Sequence, residues 1–161
     1  MTKMQSKVLS NPKEHGIALI EALVALFVFS MGILAIIGLQ ATSVRASTDA
    51  KYRANATLLA DQILGQMWSD QGAAQANLPN YITGAANCAL VAPGGNANLN
   101  SWLNTVASTL PGAEPGRQRI QYNAANREVT VTICWTTPSS IPGDPPTIHN
   151  HVVSARMNNN G

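Results

Sequence analysis

Charge is scarce in this chain of 161 residues: Asp, Glu, Lys and Arg make up 11% of it, and between Ile17 and Leu39 the only ionisable residue is Glu21. Lys3, Lys7, Lys13 and Glu14 carry the whole formal charge of +2, so the side chains from Ile17 onward sum to zero. A neutral chain lacks the basic footprint of a general nucleic-acid binder. Aromatics stand at 5% and cysteines at two, which excludes a scaffold built on many disulfides. No glycine-rich phosphate loop follows a strand, no Ser-His-Asp constellation can be placed, and no carboxylates are paired. The residues thus point to no enzyme, no cofactor and no small-molecule substrate.

What the chain does have is one long apolar run. Ile17 to Leu39 is 23 residues, and about 20 apolar residues cross a bilayer as a helix. Leu, Ile, Phe and Val fill 14 of these positions, contributing about −4 to −8 kcal/mol on the insertion scale. A single central charge costs roughly 2.5–3.5 kcal/mol, so insertion wins even with Glu21 present. The three lysines before the span place that end in the cytoplasm and everything after Leu39 on the outer side. Such a run is too long for the apolar core of a conventional secretory signal, which covers about 7–15 residues.

An acid in the first turn of a membrane helix calls for a partner. If the chain were cut between Gly16 and Ile17, Glu21 would be the fifth residue of a helix with a free amine. In an assembly of such helices, Glu21 of one subunit pairs with the Ile17 amine of its neighbour. That pair adds doubtful net stability, but leaving either charge unpaired costs several kcal/mol, so it fixes register. Glu21 also complements the positive end of the helix dipole. The plainer alternative is an uncut single-span anchor with Glu21 near the interface.

Gly16-Ile17-Ala18-Leu19-Ile20-Glu21 resembles the prepilin-peptidase site of type IV pilins and type II secretion pseudopilins. Gly16, Leu19 and Glu21 match the family pattern, while Ile17 and Ala18 replace its usual Phe-Thr. The resemblance implies removal of a 1–16 leader by prepilin peptidase after Gly16, and N-methylation of Ile17. It also implies a pilin-like α+β fold, in which one long N-terminal helix, transmembrane and then amphipathic, packs on a small antiparallel sheet.

The residues beyond Leu39 suit that plan. Gln40 to Asp70 has no proline and only Gly65 as a breaker, so the helix is expected to continue, amphipathic, over 40–70. Its stripe is read as Val44, Ser47, Ala50 or Lys51, Ala54 and Leu58, then Leu59, Ile63 and Met67. Arg45, Asp49, Arg53 and Asp61 form a charged face, either ordinary solvated surface or intersubunit contacts. The head is assigned to 71–161. Gln71 to Gly116 reads as a long connection with one short helix capped by Asn100 or Ser101, carrying Trp102, Leu103, Val106 and Leu110 and ended by Pro111-Gly112. Arg119–Asn123 and Glu128–Thr136 read as a β-hairpin, with Val129, Val131, Ile133 and Trp135 on the face toward the helix and Cys134 on the other. A final strand is placed at Ile148–Met157.

Cys88 and Cys134 fall on the oxidising side of the membrane, where a single intrachain disulfide would contribute roughly 4 kcal/mol; two buried free thiols are the alternative. His149 and His151 share one face of a strand, half of a metal site, but no acid or cysteine adjoins them and no metal is expected. Arg117, Arg119 and Arg127 cluster around the hairpin in sequence, either to meet an acidic partner or as solvated edge residues.

The resemblance extends along the chain to the minor pilins of the PilV group. It is carried by Leu23-Val24-Ala25-Leu26, Ser30-Met31-Gly32-Ile33-Leu34 and Gly38-Leu39-Gln40. Leu58-Leu59-Ala60-Asp61-Gln62 with Met67, Trp102 with Leu110-Pro111-Gly112, and the strand Val129 to Trp135 continue it. The resemblance implies a low-abundance subunit held in the inner membrane, head in the periplasm, then carried to the pilus and cell surface. Its implied partners are the prepilin peptidase, other minor pilins, the major pilin and inner-membrane lipid, and its implied role is to help start pilus assembly and support twitching or adhesion. A minor pseudopilin of a type II secretion system fits the same helix, and a binding module on a plain anchor is the third reading.

Overall fold

The computed structural model describes residues 14–72, 76–84, 88–90, 95–139, 141 and 143–158. The expected leader is therefore almost wholly outside the described residues. The chain is α+β: a helix α1 (Glu14–Asp70), a helix α2 (Ala97–Thr109), and strands β1 (Arg119–Asn123), β2 (Glu128–Thr137) and β3 (Thr147–Arg156) in one antiparallel sheet of order β1-β2-β3. This arrangement is consistent with the pilin-like fold expected from the sequence. The chain divides into two compact units, Met1–Ser47 and Thr48–Gly161.

In the first unit the described residues belong to α1 alone. The helix is apolar on all sides there, and every residue from Ile17 to Leu39 is exposed. Its two hydroxyls of note turn back on the helix: Ser30 Oγ donates to Leu26 O at 2.7 Å and Thr42 Oγ1 to Leu39 O at 2.8 Å. Neither hydroxyl then needs water, as a helix in hydrocarbon requires.

In the second unit the rest of α1 becomes amphipathic and buries Ala56, Leu59, Ala60, Ile63, Leu64 and Met67. Leu59, Ile63 and Met67 lie on the stripe expected from the sequence. The earlier part of that stripe does not: Val44 and Leu58 are 66% and 67% exposed. Spacing of 3.6 residues per turn puts Ala56, Leu59, Ala60 and Ile63 on one face, and Leu58 falls outside it.

Helix α2 starts earlier than expected. Asn96 is its cap, the side-chain oxygen accepting from Leu99 N–H at 2.8 Å, so a turn is added ahead of Asn100 and Ser101. Trp102, Leu103, Val106 and Leu110 are all buried, and Trp102 Nε1 donates to Leu59 O at 2.8 Å, fastening α2 to α1. The helix ends where Leu110 turns extended ahead of Pro111-Gly112. Gly112 has φ +56°, and a Cβ there would collide with Thr136 Oγ1 of β2.

The hairpin matches its expected bounds closely, with Arg119 opposite Thr132 and Asn123 opposite Glu128. Val129, Val131, Ile133 and Trp135 are fully buried on the core face. Strand β3 runs one residue ahead of its expected bounds at both ends; Met157 lies just beyond it, buried, with its N–H on Arg127 O at 2.8 Å.

The β1 side of the sheet is closed by other segments in two places. At β2, the N–H of Thr136 meets Pro111 O at 3.0 Å, and the backbone of Cys134 meets the side chain of Gln118. At β1, Thr83 donates its N–H to Ile120 O at 3.1 Å and accepts from Ile120 N–H on Oγ1 at 2.9 Å. These contacts satisfy strand-edge groups that would otherwise be open to any passing strand.

Candidate membrane and assembly segment, and the stapled head

The N-terminal part of α1 is long and apolar enough to cross a membrane, and no part of that stretch is buried within the molecule. Seventeen large apolar side chains from Ile17 to Leu58 are more than 40% exposed, far beyond the patches a water-soluble monomer leaves open. Glu21 sits in this stretch four residues after Ile17, so the two share one face of the helix. Ile17 is 71% exposed. Gly16 lies in the first turn of α1, which has the fewest backbone hydrogen bonds to lose. Gly32 and Gly38 have nothing near the place a side chain would fill, and each leaves an open notch on the helix surface.

After the apolar stretch, Arg53 Nε bonds Asp49 Oδ2 at 2.9 Å along one helix face. Both side chains are about half exposed, so the pair is worth a few tenths of a kcal/mol.

In the head, Cys88 and Cys134 form a disulfide with their Cα atoms 5.7 Å apart, across 46 residues. Both are buried. Cys134 stands on the sheet face opposite the helix-facing Ile133 and Trp135, as the alternation of β2 requires. Cys88 adopts φ +60°, an unusual conformation for a residue with a side chain. Arg117 holds it there, Nη1 donating to Cys88 O at 3.1 Å, while Arg117 Nε stands 3.6 Å from Glu114 Oε1.

No family model, curated protein or solved structure matches this chain.

The three arginines read together from the sequence part company in space. Arg117 is committed to the Cys88 loop, Arg119 lies at the open end of the hairpin opposite Thr132, and Arg127 lies in its turn. The histidines are also engaged. His149 stacks on Trp135 with ring centroids 5.6 Å apart and shares a 2.8 Å hydrogen bond with Thr137 Oγ1. His151 shares one of 3.1 Å with Thr57 Oγ1, linking β3 to α1. Among the described residues, no group of three or more His, Cys, Asp or Glu side chains comes together to hold a metal.

Sequence reasoning missed the polar cluster where α1 ends. Tyr81 Oη donates to Asp70 Oδ2 at 2.6 Å, and Asn98 Nδ2 donates to the same oxygen at 3.0 Å. Burial pushes the Tyr81 phenol above its ordinary value, and the neighbouring Asp70 carboxylate pushes it the same way. The only signal in the sequence was an acid at a helix C-terminus, where the dipole disfavours it and a donor must compensate.

Proposed function

We propose that this protein is a PilV-like minor pilin of a type IV pilus. The observation that carries the reading is Glu21, the one acid in the 17–39 stretch of α1 that is apolar on every side, four residues after Ile17, which follows Gly16. In this reading the span holds the subunit in the inner membrane with the head in the periplasm. Prepilin peptidase cuts between Gly16 and Ile17, in the first turn of α1, and the new Ile17 amine is methylated. The subunit then leaves lipid for a bundle of similar helices containing other minor pilins and the major pilin. Glu21 sets the docking register by meeting a neighbouring Ile17 amine, because neither charge can stay unpaired in an apolar bundle. The disulfide-stapled head is presented outside, where it helps initiate assembly and supports twitching and adhesion.

Intact-mass measurement of the protein purified from its own cells tests this. The expected N-terminus is N-methyl-Ile17. Recovery with Met1 in place, from cells with active prepilin peptidase, overturns the reading.

A further inference from the structure

A hollow of about 400 Å³ lies on the β1–β2 hairpin, lined by Gln121, Tyr122, Asn123, Ala124, Glu128 and Thr130. All six residues belong to the Thr48–Gly161 unit. The strand register builds it, with Gln121 opposite Thr130 and Asn123 opposite Glu128. Even-numbered residues of β2 share the face of Cys134, so these four polar side chains stand together on the sheet face away from the core. The volume falls within the range of ligand pockets, roughly 300–1,000 Å³.

Three of the four side chains are already held by bonds of their own. Asn123 Oδ1 accepts the Ala125 N–H at 3.0 Å, and Glu128 Oε2 accepts from Asn126 Nδ2 at 2.7 Å. The Thr130 hydroxyl shares a 3.0 Å bond with Ser154 Oγ. Asn123 and Glu128 each keep a second polar atom, Nδ2 and Oε1, for another partner. Side chains fixed in this way lose little freedom when a ligand arrives.

The mixture of groups selects the occupant. A cation offers no acceptor to Asn123 Nδ2 or Gln121 Nε2. An anion meets the Glu128 carboxylate, the one charge in the wall. An apolar segment strands all four polar side chains. A hydroxyl donates and accepts at once, and neighbouring hydroxyls on a sugar ring satisfy a carboxylate and a carboxamide together. We infer that this hollow binds a neutral saccharide, the exposed end of a glycan chain. Glu128 Oε1 accepts from sugar hydroxyls, Asn123 Nδ2 donates to them, and the Gln121 carboxamide does both. With one carboxylate in its wall the site holds a glycan without cutting it, since glycoside hydrolysis uses a pair.

An array of neutral and acidic oligosaccharides, probed with the full oxidised chain in a detergent that has no sugar head group, tests this. Neutral glycans should be retained and acidic ones should not. Gln121→Ala should weaken binding about tenfold, the size of one hydrogen bond lost. Glu128→Gln should weaken it by at least as much, because the bond from a hydroxyl to a charged acceptor is the stronger one. Val152→Ala, on the same sheet face but outside the hollow, should bind as the parent does. Gln121 is exposed, so an unchanged urea midpoint shows that its variant still folds. Retention of no neutral glycan, a preference for acidic ones, or equal binding by Gln121→Ala overturns the inference. A chain that still begins at Met1 carries the same hollow, so failure here leaves the reading of the N-terminus untouched.

Discussion

Gln118 acts as a strand for Cys134. Its Oε1 accepts the Cys134 N–H at 2.8 Å and its Nε2 donates to Cys134 O at 3.0 Å, the pair of bonds a β1 residue would make. Continued past Arg119↔Thr132, the register would bring Arg117 opposite Cys134, but the main chain has already left the sheet and the side chain takes the rung. Gln118 is fully buried, so the half of the disulfide carried by β2 is held by a carboxamide with no water to replace it.

Gln118→Ala is expected to destabilise the head by roughly 2–4 kcal/mol, since it strands two buried backbone groups. Urea unfolding of the detergent-solubilised, oxidised protein measures this. A loss below about 0.5 kcal/mol, the size of an ordinary surface change, would show that the carboxamide is dispensable.

Trp102→Phe should cost about 1–2 kcal/mol, because the ring volume is largely kept while the 2.8 Å bond to Leu59 O is lost. Trp102→Ala should cost about 3–5 kcal/mol by adding a cavity between α2 and α1. Equal losses for the two variants in thermal unfolding would remove the hydrogen bond from the account.

Much of this arrangement was legible in advance. Alternation from Val129 to Trp135 gave the buried face of β2, and the proline-free stretch to Asp70 gave the C-terminal end of α1, although the helix starts at Glu14, three residues before the expected Ile17. The PG pair after Leu110 marked the end of α2, and the structure supplies its reason in the close approach of Gly112 to Thr136. Contacts between distant segments were not legible. Gln118 on Cys134, Thr83 on β1 and Thr57 on His151 join residues 16, 37 and 94 positions apart, through polar side chains with no periodicity to announce them. The start of α2 was misplaced because Asn96, Asn98, Asn100 and Ser101 are all competent caps and only geometry chooses among them. Leu58 was misread because two adjacent leucines fit a helical stripe in either of two phases.

Alkaline pH should weaken the head through Tyr81. Its folded-state value lies above the ordinary 10.0, so the folded protein holds the phenolic proton more tightly than the unfolded chain does. The resulting stability is fully present below pH 10 and is lost as pH rises through the folded value. Denaturant midpoints measured from pH 8 to 11 should fall above pH 10, and Tyr81→Phe should flatten that fall. An identical slope in the variant would assign it to other groups.

Glu21→Ala is expected to leave membrane insertion and cleavage intact, because removing a charge from the span favours insertion. Incorporation should drop, measured as the share of protein sheared from cells with pili. Deleting the gene should reduce surface pili while the major pilin pool persists. Trapped secretion substrates with normal pili would instead favour the pseudopilin reading. Unchanged incorporation of Glu21→Ala would refute a docking role for the carboxylate.

The bond between Cys88 and Cys134 also decides how the chain carries tension. For a pull applied along α1 and resisted beyond β2, the covalent path runs through the sulfur atoms, so the segment between them, holding α2, β1 and most of β2, cannot be drawn out into extended chain. About 150 Å of extended chain is thereby withheld from stretching. A subunit so wired lengthens only in the stretch before Cys88 and after Cys134.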